Sequence, residues 1–151
     1  MKNPNIKKII IGADHLGKDL KKCLKEHIEK QGYEIEDIGV SSSDPVDYPD
    51  IGSTLAKKVS DKEFDRGILV CGTGAGMAIV ANKCSGIRAV SVNDAYTAER
   101  AIASNNAQII TFGALVTGEP NAKMYTDIWL SNDFQSERSG HKVAKIDALD
   151  K

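Results

Sequence analysis

Cys71 is the residue whose place in the chain most suggests chemistry. It closes the apolar run Ile68-Leu69-Val70 and opens Cys71-Gly72-Thr73-Gly74-Ala75-Gly76, after which Met77 to Lys83 reads as a helix. A buried strand, a tight turn and a helix N-terminus follow from that pattern. Glycines at alternate positions let the backbone come close to a ligand, so the N–H groups of Gly72, Thr73, Gly74, Ala75 and Gly76 can converge on an anion. A thiol beside a helix N-terminus has its thiolate stabilised by the partial positive charge there, and a thiolate serves as a base or a nucleophile. Free cysteine also fills space in cores, and Gly-rich turns also serve packing alone. The carboxyl end of a strand, where open α/β sheets bind ligands, favours the chemical reading. A dinucleotide site fits poorly, because its fingerprint wants a glycine where Met77 stands.

A second cluster lies near the N-terminus, where Gly12-Ala13-Asp14-His15-Leu16-Gly17-Lys18 nearly spells a phosphate-binding P-loop. Such a loop needs Ser or Thr after the lysine to hold magnesium, and Asp19 stands there instead. Asp14 and His15 sit instead at the mouth of a first strand, suited to holding a hydroxyl and an anion respectively. The histidines His15, His27 and His141 lie far apart with no ligand spacing, so no metal is expected.

Positioning these residues requires an alternation of strands and helices. Ile6 to Ala13, with its β-branched run Ile9-Ile10-Ile11, reads as a buried parallel strand. Leu16 to Lys30 reads as a helix with Leu20, Cys23, Leu24, His27 and Ile28 on or beside its apolar stripe, and Gly32 ends it. Cys23 and His27 are therefore expected to pack, as is Cys84. A second strand spans Tyr33 to Gly39, a loop follows, and Asp47-Tyr48-Pro49 opens a helix with the proline in its first turn. After the Cys71 element come a strand from Ile87 to Val92 and a helix from Ala95 to Asn105 capped by Asp94. A strand from Ala107 to Phe112 and a helix opened by Thr117-Gly118-Glu119-Pro120 follow. Ser131 to Ser139 is polar, and a last helix from Gly140 to Leu149 carries Val143, Ile146 and Leu149 on one stripe. The expected fold class is α/β, an open parallel five-stranded sheet with helices on both faces in a Rossmann-like three-layer sandwich.

The whole chain bounds the partners. Its 151 residues are about one domain, expected to span 1–151. A hydrophobic fraction of 41%, charged residues at 27% and a net charge of −1 give no basic excess for nucleic acid. Any phosphate must be held by a few placed groups. Three cysteines without a paired framework favour a reducing cytoplasm, and no run is long and apolar enough for a membrane span.

Six segments in order carry a resemblance to a known family: Gly12-x-Asp14-His15, Asp47-Tyr48-Pro49, Cys71-Gly72-Thr73-Gly74-x-Gly76, Ala81-Asn82-Lys83, Gly86-Ile87-Arg88-Ala89-Val90 and Phe112-Gly113. Together they resemble the type B ribose-5-phosphate isomerases, whose superfamily includes the galactose-6-phosphate isomerases. The resemblance implies interconversion of an aldose phosphate and a ketose phosphate through a cis-enediolate, without metal or cofactor. Cys71 matches the base of the cysteine-bearing members, others placing a glutamate where this chain has Met77. The amides of Gly72, Gly74, Ala75 and Gly76 match an anion hole, with Thr73 and Asn105 beside the reacting oxygens. Asp14 and Tyr48 match contacts to substrate hydroxyls, and His15 and Arg138 match phosphate contacts. Lys142 stands where a second arginine is common. The resemblance also implies a homodimer or a dimer of dimers, with each site built across the subunit boundary. Two departures stand out: Ser104 replaces a ring-opening histidine, and Leu115 replaces an arginine after the Phe-Gly element. They leave a tetrose 4-phosphate or another sugar phosphate as the rival substrate, and a noncatalytic sugar-phosphate binder as the rival of another class.

Overall fold

The computed structural model describes residues 2–150, so Met1 and Lys151, the ends of the expected 1–151 span, lie outside the described residues. Five strands form one sheet: β1 (Lys8–Ala13), β2 (Glu34–Asp37), β3 (Arg66–Cys71), β4 (Ala89–Ser91) and β5 (Ile109–Gly113). The order is β2-β1-β3-β5-β4, and every pairing is parallel. A short 3-10 turn (His15–Gly17) and six helices connect them: α1 (Lys18–Lys30), α2 (Tyr48–Ser60), α3 (Ala75–Asn82), α4 (Ala95–Ala103), α5 (Glu119–Ser131) and α6 (Ser136–Asp147).

Burial on both faces explains why the strands read as continuous apolar runs. Ile9 and Ile11 of β1 join one cluster with Leu24 and Ile28 of α1, Ile102 of α4 and Trp129 of α5. Ile10, between them, points to the opposite cluster with Leu55 of α2, Met77 of α3 and Ile109 of β5. Successive side chains of a strand alternate between faces, so a sheet covered on both sides needs apolar residues at every position. Each fully buried isoleucine or leucine contributes about 1.5–3 kcal/mol relative to exposure, and the central strands β1 and β3 supply many of them.

Polar ties fasten the helices to this core. Trp129 donates its indole N–H to Ala107 O at 3.1 Å, and Arg66 donates to Trp129 O at 2.7 Å with its guanidinium 5.0 Å from the indole ring. Burial pushes the Arg66 guanidinium down to about 10, opposed by the charge of Asp133. Lys21 is buried and donates to Asp37 Oδ1 at 2.9 Å and Val40 O at 2.7 Å, anchoring the chain after β2. Asp94 caps α4 as expected, accepting from Thr97 N at 2.7 Å.

The elements agree with the sequence expectations in kind, and the edges differ. The strand expected over Tyr33 to Gly39 is confined to Glu34–Asp37, and that over Ile87 to Val92 to Ala89–Ser91. Both are edge strands with a single pairing partner, so fewer ladder bonds hold their ends. The last helix begins at Ser136, four residues before the expected Gly140, and ends at Asp147. Its expected stripe is also corrected. Val143 is buried, but Ile146 and Leu149 are exposed, because the end of α6 is held by polar contacts to the start of β4 instead of apolar packing.

Candidate active site

The site forms where the parallel strands end. Ala13 of β1 is in register with Val70 of β3, and Cys71 with Gly113 of β5, so the segments leaving these strands meet at one end of the sheet. Gly113 has to be glycine here, since a Cβ would lie 2.5 Å from the carbonyl carbon of Thr73. Gly74 adopts φ +80°, the left-handed region that glycine occupies without strain, and so turns the chain from β3 into α3. Thr111 locks that turn by donating its hydroxyl to Gly74 O at 2.7 Å.

Within the turn the donors are aimed inward. The Gly74 N–H donates to Cys71 Sγ at 3.2 Å, and the Ala75 N–H donates to Thr73 Oγ1 at 3.2 Å. The N–H groups of Gly76 and Met77 belong to the first turn of α3, where no intrahelical acceptor exists. An amide donor and a helix N-terminus both favour negative charge at this point. Of the amides expected to act as one anion hole, that of Gly74 is spent on the sulfur and that of Ala75 on the threonine. Among the described residues that of Gly76 has no acceptor, nor has that of Met77, which was not among those expected. The Met77 side chain is fully buried among apolar residues in the cluster that also holds Cys71.

The first βα turn brings Asp14 and His15 beside this loop. Asp14 donates its own N–H to Val70 O at 3.2 Å, and its Oδ1 accepts from Leu16 N and Gly17 N at 3.0 Å each. One carboxylate oxygen therefore shapes the turn and leaves Oδ2 for a ligand. His15 Nδ1 accepts from Val46 N at 3.2 Å. Since a backbone N–H can only donate, the imidazole proton sits on Nε2, which presents a donor suited to an anion. Tyr48, the first residue of α2, lays its ring over Gly76. A Cβ at Gly76 would stand 2.7 Å from the ring and 2.9 Å from Oη.

Asn105, Arg138 and Lys142 are not brought to this cluster. Asn105 follows α4 and precedes β5, so it lies at the opposite end of the sheet. From Gly67, level with the start of β5, to Cys71 is four residues of strand, about 13 Å at ~3.3 Å per residue. Arg138 and Lys142 are exposed on α6, which leaves Ala103 O through the Gln135 N–H and reaches the start of β4 through the Arg88–Asp147 pair at 2.6 Å. That too is the far end.

The cysteines correct one expectation. Cys71 is the buried one, 4% exposed, whereas Cys23 and Cys84 are half-buried. Cys23 opens onto a groove between α1 and α5 with His27, Glu119 and Lys123. Burial and then the charge of Glu119 push its thiol up. His27 bonds Asp127 Oδ1 at 2.8 Å across the same groove, so neither residue is core packing. Sequence reasoning also missed Leu16, which is 49% exposed yet sits 3.2 Å from where a Gly72 Cβ would be, with Leu115 at 3.5 Å from the same point. A leucine four residues before Leu20 reads as the apolar stripe of α1, and only the 3-10 turn, which changes the helical phase, takes it off that stripe.

Among the described residues no group of three or more metal-ligating side chains converges, and no helix is long and apolar enough to cross a membrane. Residues 9–146 match the family model described as Ribose/Galactose Isomerase. The chain is 46% identical over 143 residues to the ribose-5-P isomerase B of Listeria innocua, covering 95% of this chain and 97% of that one. It is 44% identical to the D-erythrulose-4-phosphate isomerase of Pectobacterium atrosepticum, with 91% of each covered. The solved ribose-5-phosphate isomerase B of Clostridium thermocellum superposes with a TM-score of 0.92 at 42% identity, covering 94% of this chain and 96% of that one. With the fold and nearly the full length in agreement, the chain belongs to the ribose/galactose isomerase family.

Proposed function

We propose that this chain is a cofactor-independent aldose–ketose isomerase that interconverts ribose 5-phosphate and ribulose 5-phosphate through a cis-enediolate, with Cys71 as the base. The observation that carries the reading is the Gly74 N–H on Cys71 Sγ at the head of α3, which readies the sulfur to hold negative charge beside unclaimed amides. The reaction carries a proton between C1 and C2 and places negative charge on the adjoining oxygen. The thiolate takes the proton from one carbon and returns it to the other, while the hydroxyl proton passes between O2 and O1 across the cis-enediolate, which balances the aldose against the ketose. The amides of Gly76 and Met77, with Thr73, face the developing oxyanion, Tyr48 and Asp14 hold hydroxyls, and His15 Nε2–H meets the phosphate.

Asn105, Arg138 and Lys142 enter the same scheme only from a second copy of the chain, because their own Cys71 is at the other end of the sheet. Leu16, Tyr48, Ile79, Tyr96, Leu115 and Val116 are exposed, and they all follow strand ends at the Cys71 face. A single soluble chain rarely leaves so many large apolar side chains around one end uncovered. We take the working unit to be a homodimer, alone or paired into a dimer of dimers, acting in the cytoplasm.

A second reading keeps the chemistry and changes the sugar to a tetrose 4-phosphate. Ser104 supplies no titrating group for opening a ring, and Leu115 offers no charge at the mouth. One relative carries the name D-erythrulose-4-phosphate isomerase, another ribose-5-P isomerase B, so the names leave both sugars in play. Assaying the protein against four-, five- and six-carbon sugar phosphates, with Cys71→Ala beside wild type, tests all of this. Cys71→Ala should lose 10²–10⁴-fold in kcat, the range of a lost general base, about 3–5 kcal/mol of barrier. Retained turnover in Cys71→Ala refutes the base. Binding of a sugar phosphate without turnover by wild type would mark a noncatalytic binder.

A further inference from the structure

We infer that Arg100 is a positioning residue that turns the Ser104 hydroxyl into a fixed, non-titrating hydrogen-bond donor for the sugar oxygen held in a second copy's Cys71 site. The inference rests on the isomerase reading with shared sites given above. Arg100 lies on the last turn of α4, one helical turn before Ser104, and donates from Nη1 to Ser104 Oγ at 3.1 Å. A guanidinium carries donors and no acceptor. Ser104 Oγ must therefore accept, and its own proton points elsewhere. Among the described residues that proton has no acceptor, even though serines at such positions often bond the carbonyl one turn back. The neighbouring Asn105 side chain is exposed and likewise unengaged, while its backbone carbonyl is held by Arg88 Nε at 3.1 Å.

Arg100 itself is only partly satisfied. Nη2 donates to Glu99 Oε1 at 2.8 Å, and the buried Nε has no partner among the described residues. A cation in the last turn of α4 suits the helix dipole, but that accounts for the charge alone and not for a donor aimed at the Ser104 hydroxyl by a side chain only 19% exposed. A cation donating into a hydroxyl polarises its O–H bond and strengthens the bond that the hydroxyl donates onward. Such a donor stabilises charge without giving up a proton. That matches an enediolate oxygen, where charge develops while the hydroxyl proton passes between O2 and O1 of the sugar itself, better than a closed ring, which needs a proton from an outside group.

The test is a double-mutant cycle on the full-length protein with the best substrate of the sugar-phosphate panel. Ser104→Ala and Arg100→Gln should each lower kcat by ~10-fold, less than the loss of a main oxyanion donor, with KM changed less than ~3-fold. The double variant should lose the same ~10-fold and not the ~100-fold product, because either change alone removes the one hydroxyl contact. Arg100→Lys should keep kcat within ~3-fold of wild type, since a single donor bond is all the interaction uses. An additive double variant, a loss confined to KM, or a lowered Tm with unchanged kcat would each overturn the role. Ser104→Cys gives a readout that needs no turnover and no change at Arg100. Its alkylation rate against pH should titrate below the ordinary thiol value of about 8.5, because the guanidinium stabilises the thiolate, and titration at or above that value counts against the contact. Wild-type protein that turns over no sugar phosphate would remove the isomerase reading and this role together. Active wild type with a neutral Arg100→Gln would remove this role alone.

Discussion

Replacing Gly76 with alanine separates the geometry of the site from the stability of the fold. Gly76 lies in the first turn of α3, and the new Cβ would stand 2.7 Å from Cε2 and Cζ of Tyr48 and 2.9 Å from its Oη. Carbon atoms in contact rest at about 3.5–4.0 Å. The ring therefore has to retreat by about 1 Å. It can do so, because Tyr48 begins α2 and is 38% exposed, leaving solvent on one side. Moving it off its rotamer costs roughly 0.5–1.5 kcal/mol. Alanine in place of glycine returns roughly 0.5–1 kcal/mol of helix propensity. The two nearly cancel, so Tm should stay close to wild type. Activity should not. A hydroxyl-holding group displaced by ~1 Å costs up to ~10²-fold in kcat/KM. Steady-state kinetics on ribose 5-phosphate and erythrulose 4-phosphate, alongside thermal unfolding, measures both quantities. Tyr48→Phe identifies how much of the loss is the hydroxyl, and combining it with Gly76→Ala should add little. A Gly76→Ala protein with kcat/KM within ~2-fold of wild type would show that Tyr48 does not work where its ring rests, and a Tm lowered by many degrees would show that the ring cannot yield.

Mixing a Cys71→Ala chain with an Asn105→Ala chain, each inactive, should restore about a quarter of wild-type activity after subunit exchange, because half the dimers are mixed and each of those holds one intact site; no recovery would place both groups in one chain's site. Iodoacetamide should modify Cys84 before Cys71, since Cys71 is 4% exposed, and Cys23 should lag behind Cys84 because burial and Glu119 push its thiol up. Peptide mass mapping over time reads that order, and Cys71 reacting first would mean that the turn opens readily in solution. Ser104→His should raise kcat/KM for ribose 5-phosphate relative to erythrulose 4-phosphate by supplying a group that titrates near neutral pH. A wild-type preference for ribose 5-phosphate that the substitution leaves unchanged would rule out the tetrose reading.

Much of this molecule was legible in the sequence, for a reason that lies in its sheet. Parallel strands covered on both faces need unbroken β-branched and apolar runs, so Ile9-Ile10-Ile11 and Ile68-Leu69-Val70 announce themselves without an alignment. Glycine positions carried the turn, because Gly74 at φ +80° and Gly113 against the Thr73 backbone admit no side chain. The N-cap of α4 was also local, an Asp94 side chain and the Thr97 amide three residues on. Interactions of that range leave their mark on residue type and spacing.

Tertiary structure alone decided what depends on residues distant in the chain. The order β2-β1-β3-β5-β4 sets the ends of β1, β3 and β5 side by side, so that Asp14, Cys71 and Gly113 meet, and no local pattern records which strand lies beside which. Cys71 is buried beneath a turn braced by Thr111 and Gly113, while Cys23 and Cys84, expected to pack, are only half-buried. The tautomer of His15 follows from a Val46 amide 31 residues away, and the tie between Arg100 and Ser104 needed coordinates to show which way a guanidinium turns. Backbone propensity and hydrophobic pattern act over a few residues, whereas a hydrogen bond across the fold is chosen only once packing has brought its partners together.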